Sequence, residues 1–526
     1  YTYDLANRLL KSVYQLNDKD SITLVDNIYD EVGRLFVDRR NGVPELRTNY
    51  SYNLRSWLKG VSSPLFSQTL NYQETINDIS PCYNGNISSL FWRTAQNNAS
   101  NALISSPEKG YSFTYDGLSR LKDAVYGEGA SLNQNRNRFN EQITGYDKMG
   151  NILGLLRYGQ TGTDSYGLID NLNLTYNGNQ LESVYDNATN CVFGNGMEFK
   201  DAAHETVEYA YDKNGNLTKD LNKNITEIQY NILNLPSHIR FADGSSIVYE
   251  YAADGSKVRT THTINDNVTS TVYCGNAVYE NGSLKMLLNE SGYYSFQDNK
   301  FHFYIKDHQG NVRVVADETG KVDEVNDYYP FGGLMSNACN NTQPYKYNGK
   351  ELDRKGGLDW YDYGARYYDP LSENFYSVNP YAYCLSNPFN RIDPTGMSSR
   401  YNWKTKRYED EDGNEVSWEE VRAEYQLDGM SSPAVDGLND WGLSNETDGG
   451  NVDAISGAAP KVTSLKIIEP NATTVIPVVM PWKSLAGEAF GNIISRFIGP
   501  AFLIFTLQGD SSPAYVKEAK DSSNNE

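Results

Sequence analysis

Cysteine and histidine are both scarce in this chain, which has five of each in 526 residues. The cysteines lie far apart and are odd in number, which argues against a disulfide framework and against a Cys-x-x-Cys zinc site. No His-Glu-x-x-His, Gly-x-Ser-x-Gly or phosphate-binding glycine-rich motif occurs in the sequence. We therefore predict no metal ligands and no cofactor.

The C-terminal region has even fewer of these residues, since no histidine follows His308 and no cysteine follows Cys384. A zinc deaminase needs His and Cys ligands, and many nucleases and all cysteine proteases need His or Cys as reacting groups. These chemistries are therefore excluded for the last part of the chain.

Basic residues are outnumbered by acidic ones. Lys plus Arg total 46 and Asp plus Glu total 67, which gives a formal net charge of −21. A surface this acidic repels phosphate backbones and anionic lipid, so we predict no nucleic-acid partner.

Tyrosine and glycine are abundant, with 41 Tyr and 43 Gly against only 18 Phe. Tyr suits a half-buried sheet face with its hydroxyl near water, and Gly suits tight turns. Short apolar strands alternate with turn signals, and long helical periods are missing. This composition favours a mainly β protein made of antiparallel hairpins.

One motif recurs through the first half of the chain. A Tyr-Asp or Tyr-Asn step is followed by Gly, Asn or Arg and then by an aliphatic residue. The clear copies are 29–35, 115–121, 146–152 and 211–217, and weaker copies begin at Tyr3, Tyr52, Tyr176, Tyr230 and Tyr251. We expect the Tyr to end a strand and pack on the neighbouring repeat, Asp to open the turn, and Gly to supply a positive φ. Stacked repeats of this kind make one continuous sheet.

The later motifs carry a family resemblance. They are 303–313, 328–332, 347–351, 361–370, 379–384, 387–388 and 393–397. Over residues 1–397 the chain resembles the bacterial RHS/YD-repeat proteins, and these later segments resemble the RHS repeat-associated core domain. The resemblance implies an antiparallel β-solenoid or shell, a partial cocoon, that carries a variable C-terminal polypeptide.

The resemblance and the composition divide the chain into four parts. Residues 1–260 are predicted to be the YD-repeat β-shell and 261–397 the core domain. Residues 398–460 are predicted to be a linker with a short helix at 418–425, and 461–526 a variable, small mixed α/β region. In that last part we expect strands at 462–468 and 474–480 and apolar helix at 483–508. For 485–507 we favour a buried helix over contact with a membrane.

The resemblance also implies a self-cleaving core of the aspartyl type. The family severs its chain after a final Asp-Pro-x-Gly-Leu/Met, which here places Asp393 in the site and the scissile bond between Met397 and Ser398. The partner carboxylate is Asp369. Two carboxylates in contact share a proton, so one activates water while the other protonates the leaving amide.

Two arginines flank the predicted pair, Arg366 and Arg391, and are expected to hold a carboxylate charge. The sequence departs from the family because the single Asp369-Pro370 step must serve two roles and an intervening segment is absent. Asp369 and Asp393 would alternatively only cap Asp-Pro turns, with cleavage lost. Any enzyme activity is at most an autoprotease acting once on its own chain.

The sequence therefore predicts a secreted or cell-surface bacterial shell protein that displays or delivers its C-terminal polypeptide in toxin-like competition between cells. The chain begins inside a motif and shows no signal-peptide pattern, so we expect targeting information to lie elsewhere. Expected partners are its own C-terminal polypeptide, secretion machinery, an immunity protein or cell-surface glycans. The alternative is a carbohydrate-binding adhesive protein without catalysis, motivated by Trp57, Trp92 and Trp360 if their rings are exposed.

Overall fold

The computed structural model describes residues 1–396, apart from 18, 77–78, 99, 336–341, 377–382 and 394–395. After residue 396 it describes only the backbone of six short strands. The chain divides into two units, Tyr1–Leu443 and Ser444–Glu526. Among the described residues, no helix combines the length and apolar character that crossing a membrane requires.

The first unit begins with a 15-stranded antiparallel sheet. Its strands follow one another in chain order, except that β9 lies beside β8 at one edge. They are β1 (Thr2–Tyr3), β2 (Leu9–Tyr14), β3 (Ile22–Tyr29), β4 (Leu35–Arg39), β5 (Thr48–Tyr52), β6 (Leu58–Ser62), β7 (Phe66–Asn71), β8 (Ser89–Asn97), β9 (Leu103–Ser105), β10 (Lys109–Tyr115), β11 (Leu121–Glu128), β12 (Glu141–Tyr146), β13 (Ile152–Gln160), β14 (Tyr166–Asn177) and β15 (Gln180–Asp186).

A second antiparallel sheet of 13 strands follows, again in chain order. Its strands are β16 (Tyr209–Tyr211), β17 (Leu217–Asp220), β18 (Ile225–Tyr230), β19 (Pro236–Phe241), β20 (Ser246–Tyr251), β21 (Lys257–Ile264), β22 (Asn267–Cys274), β23 (Ala277–Glu280), β24 (Ser283–Asn289), β25 (Gly292–Ser295), β26 (Lys300–Lys306), β27 (Val312–Asp317) and β28 (Val322–Val325). The domain boundary predicted at 260/261 lies inside β21, and the sheet continues through it; the predicted division into four parts stays a prediction.

Three small sheets complete the described structure. The first has β29 (Glu351–Asp353), β30 (Trp360–Asp362), β31 (Tyr367–Asp369) and β32 (Asn374–Phe375), and the second has β33 (Arg391–Ile392), β34 (Tyr401–Asn402), β35 (Arg407–Glu409) and β36 (Glu415–Val416). In the second unit, β37 (Val462–Ile467) pairs with both β38 (Ile476–Val478) and β39 (Leu503–Leu507). Short 3-10 helices span Pro44–Leu46, Tyr347–Gly349, Lys355–Gly357 and Tyr383–Ser386.

The Tyr-Asp motif forms the turns of the two large sheets. Tyr29 ends β3, and the carboxylate of Asp30 accepts the backbone N–H of Val32 at 3.1 Å and of Arg34 at 2.8 Å. Gly33 has φ 85°, which glycine adopts without steric cost. The side chain of Asp30 therefore satisfies backbone donors that the turn takes out of the sheet.

Most of the motif tyrosines also reach back to the preceding repeat. The hydroxyl of Tyr29 donates to the carbonyl of Leu9 at 2.9 Å, and that of Tyr52 donates to the carbonyl of Leu35 at 2.8 Å. The same bond joins Tyr146 to Leu121, Tyr211 to Leu181, Tyr230 to Leu217 and Tyr251 to Pro236. Consecutive hairpins are thus linked through side chains as well as through main-chain hydrogen bonds.

A single apolar cluster extends through the inner positions of both large sheets and the sheet β29–β32. It includes Leu24, Leu155, Ile239, Val314 and Tyr361, which are all almost fully buried. The predicted mainly β fold of antiparallel hairpins is confirmed.

Two expectations are corrected by the structure. Trp92 and Trp360 are each only 1% exposed, because their large apolar rings belong to this cluster and are not available to stack on sugars. Residues 503–507 form strand β39, not the helix expected over 483–508. Ile504, Phe505 and Thr506 are β-branched or aromatic, and pairing with β37 supplies partners for their backbone. The strands expected at 462–468 and 474–480 are present as β37 and β38, and the helix expected at 418–425 lies outside the described residues.

Candidate functional site

The predicted cleavage segment is held by Asp393 and Arg366. Asp393 Oδ1 accepts the backbone N–H of Gly396 at 2.8 Å, and its Oδ2 lies 3.0 Å from Arg366 Nη2. Arg366 Nε donates to the carbonyl of Gly396 as well. Both side chains are buried. Arg366 therefore holds the carboxylate of Asp393 and also the carbonyl of Gly396, which lies just before the predicted Met397–Ser398 bond.

The space around this turn is small. The guanidinium carbon of Arg366 lies 3.9 Å from the centre of the Phe375 ring. Gly396 has φ +77°, and a Cβ built on it would lie 2.8 Å from the Cβ of Tyr363. Glycine is therefore needed at 396 for both its φ and its size. Met397 and Ser398 lie outside the described residues.

Arg391 does not share the position of Arg366. It begins β33, which pairs with β34 so that Arg391 lies opposite Asn402. Burial raises the pKa of the neighbouring Cys384 thiol, and the charge of Arg391 acts against that shift. The structure thus pairs Arg366 with Asp393, whereas Arg391 lies on β33, two residues before Asp393 in the chain.

Asp369 has a different set of partners. It ends β31 and is fully buried, and its Oδ1 accepts the backbone N–H of Leu371 at 2.9 Å. Its Oδ2 accepts the hydroxyl of Tyr376 at 2.6 Å and lies 3.1 Å from Lys223 Nζ. The carboxylate of Asp369 is therefore held by a lysine from the second large sheet, and that of Asp393 by Arg366.

The sequence left two roles open for Asp369 and Asp393, a catalytic pair or caps of Asp-Pro turns, and their contacts bear on both. One oxygen of each carboxylate caps its own Asp-Pro turn, as a purely structural role requires. The other oxygen of each contacts a buried cation, Lys223 for Asp369 and Arg366 for Asp393. A turn cap alone does not account for these buried charges, because an ion pair is costly to place away from water.

Lys223 and its neighbour Asp220 were missed by sequence reasoning. Asp220 ends β17, and Lys223 lies in the turn before β18. Burial raises the pKa of Asp220 to about 7, the charge of Asp369 adds to the shift, and Lys223 acts against it. The local sequence gives no signal for this pair, since Asp-Leu-Asn-Lys reads as an ordinary polar turn.

A second buried cluster surrounds Arg157 and was also missed. Its Nε lies 2.8 Å from Glu141, its Nη1 lies 2.5 Å from Asp170 and its Nη2 lies 3.8 Å from Glu373, and all four side chains are fully buried. Burial raises the pKa of Asp170 to about 7 and that of Glu373 well above its usual value, while Arg157 opposes both shifts. Three carboxyls around one guanidinium favour at least one bound proton.

The Arg157 cluster also holds the loop that follows Asp369. Arg157 Nη2 lies 3.4 Å from the carbonyls of Pro370 and Leu371, for which it is the donor. Glu373 has φ 60°, a strained conformation for this residue, and both its carboxyl oxygens lack a hydrogen-bond partner among the described residues. The Asp-Pro turn is thus fixed on both sides, by Lys223 and by Arg157.

Neither cluster is arranged as a metal site. Within the part of the chain that the structure describes, no group of three or more His, Cys, Asp or Glu side chains is arranged to hold a metal ion.

Comparison with known proteins gives the fold. No family model and no curated protein matches the sequence. Among solved structures, TcdB2-TccC3-Cdc42 superimposes with a TM-score of 0.57 at 19% sequence identity over 75% of this chain and 20% of that chain. TcdB2-TccC3 gives a TM-score of 0.56 at 19% identity, over 75% of this chain and 21% of that one.

The fold is an RHS-type β-shell. TcdB2-TccC3 without its hypervariable C-terminal region matches equally well, with a TM-score of 0.56 at 19% identity over 75% of this chain and 20% of that chain. The shell resemblance that the sequence motifs carry and the structural likeness therefore agree. This chain spans about a fifth of the length of these structural neighbours.

Proposed function

We propose that this chain is an RHS-type shell protein, secreted or on the bacterial cell surface, that displays or delivers the polypeptide following Met397 in toxin-like competition between cells. The observation that supports this proposal is the shell fold shared with TcdB2-TccC3, a protein that has a hypervariable C-terminal region. We propose the same arrangement for this chain: the shell and core motifs come first, and a C-terminal region of different composition follows them.

The proposal includes one self-cleavage, at the bond between Met397 and Ser398. Its support is the buried turn in which Asp393 and Arg366 fix both the N–H and the carbonyl of Gly396. Peptide hydrolysis adds one water across the amide, so a carboxyl group must take a proton from water and a second must protonate the leaving nitrogen. Asp393 is proposed for one of these roles, with Asp369 as its predicted partner.

Expression of the full chain followed by intact mass spectrometry tests the cleavage. We expect a fragment that ends at Met397, and we expect Asp393→Asn to leave the chain uncut. Arg366→Lys keeps the charge but loses the second hydrogen-bond donor, so it should slow the cut rather than abolish it. An intact 59.1 kDa wild-type chain would remove self-cleavage, and the shell proposal would then rest on display alone.

The carbohydrate-binding alternative loses its original motivation. Trp92 and Trp360 are buried, and the indole N–H of Trp92 donates to Asp327 at 2.7 Å inside the shell. Trp57 alone is half-buried and packs against Tyr72 at 5.1 Å. Among the tryptophans that the structure describes, no flat exposed set supports the binding of sugars.

Partners follow from the proposed delivery. The first is the chain's own C-terminal polypeptide, and the others are secretion machinery that exports the shell and an immunity protein that protects the producing cell. Co-purification of the cleaved C-terminal fragment with the shell tests the first of these. Separation of the two fragments under native conditions would contradict retention of the polypeptide by the shell.

A further inference from the structure

Lys223 and Asp369 bring together two distant parts of the chain. Lys223 lies in the turn after β17, and Asp369 ends β31 in a different sheet. The distance from Lys223 Nζ to Asp369 Oδ2 is 3.1 Å. The Asp369 side chain is fully buried and that of Lys223 is 10% exposed, so the contact is nearly closed to solvent.

A second carboxyl group lies beside this pair. Asp220 is fully buried, and its Oδ1 accepts the backbone N–H of Lys223 at 3.1 Å. Its Oδ2 has no hydrogen-bond partner among the described residues. Burial, with a smaller contribution from the charge of Asp369, raises the pKa of Asp220 to about 7, although Lys223 acts to lower it. Asp220 is therefore able to carry or release a proton near neutral pH.

Aromatic rings enclose the three groups. The hydroxyl of Tyr376 donates to Asp369 Oδ2 at 2.6 Å, and its ring lies 4.8 Å from Trp360 and 6.5 Å from Tyr209. All three rings are at most 5% exposed. Because an apolar enclosure solvates charges poorly, it lowers the cost of moving the proton of Lys223 to a carboxylate. It also keeps out bulk water.

We propose that Lys223 and Asp369 form an amide bond between their side chains, an intramolecular cross-link whose formation is assisted by Asp220. The nitrogen of Lys223 bonds to the carboxyl carbon of Asp369, the carbon–oxygen bond of the departing hydroxyl breaks, and one water leaves. No oxidant, reductant or activated co-reactant is needed. This modification goes beyond the proposed display function.

Proton transfers must precede and follow the attack. Burial lowers the pKa of Lys223, but Asp369 and Asp220 outweigh it and leave the pKa raised, so the resting form is the ammonium. Its proton passes to a carboxylate, which gives a neutral amine and a neutral acid in contact. Asp220 then accepts the second amine proton and returns a proton to the departing hydroxyl.

A second buried lysine–carboxylate pair in the same chain lacks the third group. Lys346 contacts Glu324, and both side chains are almost fully buried. Glu324 also accepts hydrogen bonds from Asn326, Thr342 and Gln343. Although burial opposes it, Lys346 and these donors lower the pKa of Glu324, which keeps it ionised. An ionised carboxylate resists attack by an amine, so this pair should remain an ion pair and serves as an internal control.

The cross-link would tie the second large sheet to the sheet that leads to the cleavage segment. β17 and β31 would then stay joined in denaturant as well as in the folded protein. A cross-linked Asp369 is no longer a free carboxyl, so Asp369 can serve in the proposed cleavage only in chains where the cross-link has not yet formed. The two proposals therefore make different predictions for variants at 369 and 393.

Mass spectrometry of the denatured, full-length wild-type protein tests the cross-link directly. We expect the intact chain, or its 1–397 fragment, to be lighter by one water molecule than its sequence requires. Proteolysis should release a branched peptide that joins Lys223 to Asp369, and no branched peptide should join Lys346 to Glu324. A wild-type mass that equals the sequence mass, with no branched peptide, would overturn the proposal without any variant having to fold.

Three variants locate the chemistry. Lys223→Arg and Asp369→Ala should each restore the mass of the missing water, since neither can form the amide. Asp220→Asn keeps the shape of the side chain but cannot exchange the proton, so we expect most chains to remain uncross-linked. Full cross-linking in Asp220→Asn would refute the role of Asp220. The cleavage test with Asp393→Asn measures the Met397–Ser398 bond and not the Lys223–Asp369 amide. Failure of the cleavage proposal can therefore be distinguished from failure of the cross-link proposal.

Discussion

The guanidinium of Arg34 lies over the ring of Tyr52, with 4.5 Å between its central carbon and the ring centre. Arg34 belongs to one Tyr-Asp turn, where its Nε donates to Asp30 at 2.7 Å, and Tyr52 ends the strand that opens the next turn. Arg8 and Tyr29 repeat this arrangement, as do Arg120 and Tyr146. Each turn thus helps to place the tyrosine of its neighbour, which explains why the motif contains both an acid and, in these copies, an arginine.

The tyrosine hydroxyl should contribute measurably to stability. Tyr52→Phe removes the bond to the Leu35 carbonyl and leaves the ring in place. We expect the free energy of unfolding to fall by about 1 kcal/mol, the usual net value of such a hydrogen bond. Urea denaturation measures this change. Tyr83→Phe is the control, since Tyr83 is 69% exposed and should change nothing.

Arg157 should be among the most costly residues to remove. Arg157→Met leaves Glu141, Asp170 and Glu373 buried without their cation. Breaking a buried ion pair in this way costs roughly 3–5 kcal/mol. The loss should be smaller at acidic pH, where the three carboxyls are protonated, and thermal unfolding at two pH values measures the difference. An equal loss at both pH values would contradict the charge argument.

Stability should depend on pH through Asp170. Burial raises the pKa of Asp170 to about 7, whereas an aspartate in the unfolded chain has a pKa of 3.8. The folded protein therefore binds a proton that the unfolded chain has released, so this contribution is full below about pH 4 and declines as the pH rises through about 7. Asp170→Asn should flatten that decline in denaturant titrations. Asp254→Asn, an exposed turn variant, should leave it unchanged.

Gly396 should control the cleavage segment. Gly396→Ala places a Cβ 2.8 Å from the Cβ of Tyr363 at φ +77°, so the turn must shift away from Arg366. We expect slower cleavage after Met397, measured as the fraction of intact chain over time. Gly178→Ala imposes a similar backbone cost at φ +63° but has open space around it, and it should cleave normally. Equal slowing in both variants would mean that the effect is one of general stability.

The local pattern of the sequence was sufficient to predict the hairpins. Tyr29, Asp30 and Gly33 act within one turn, and their roles depend on conformations that each residue type prefers by itself. The order of the later motifs likewise led to Asp393 and Arg366, which do meet. Strand β39 was mistaken for helix because a short apolar run has no clear period, and pairing with β37 decides its conformation.

The sequence alone determined that hairpins would follow one another along the chain, because a turn and its two strands are neighbours in sequence. Only the tertiary structure decided which buried charges meet. Lys223 reaches Asp369, and Arg157 gathers Glu141, Asp170 and Glu373, through the way that separate sheets pack together. It also decided that Trp92 and Trp360 are enclosed. Contacts of this kind depend on sheet register and packing over long sequence separations, and no local pattern of residues encodes them.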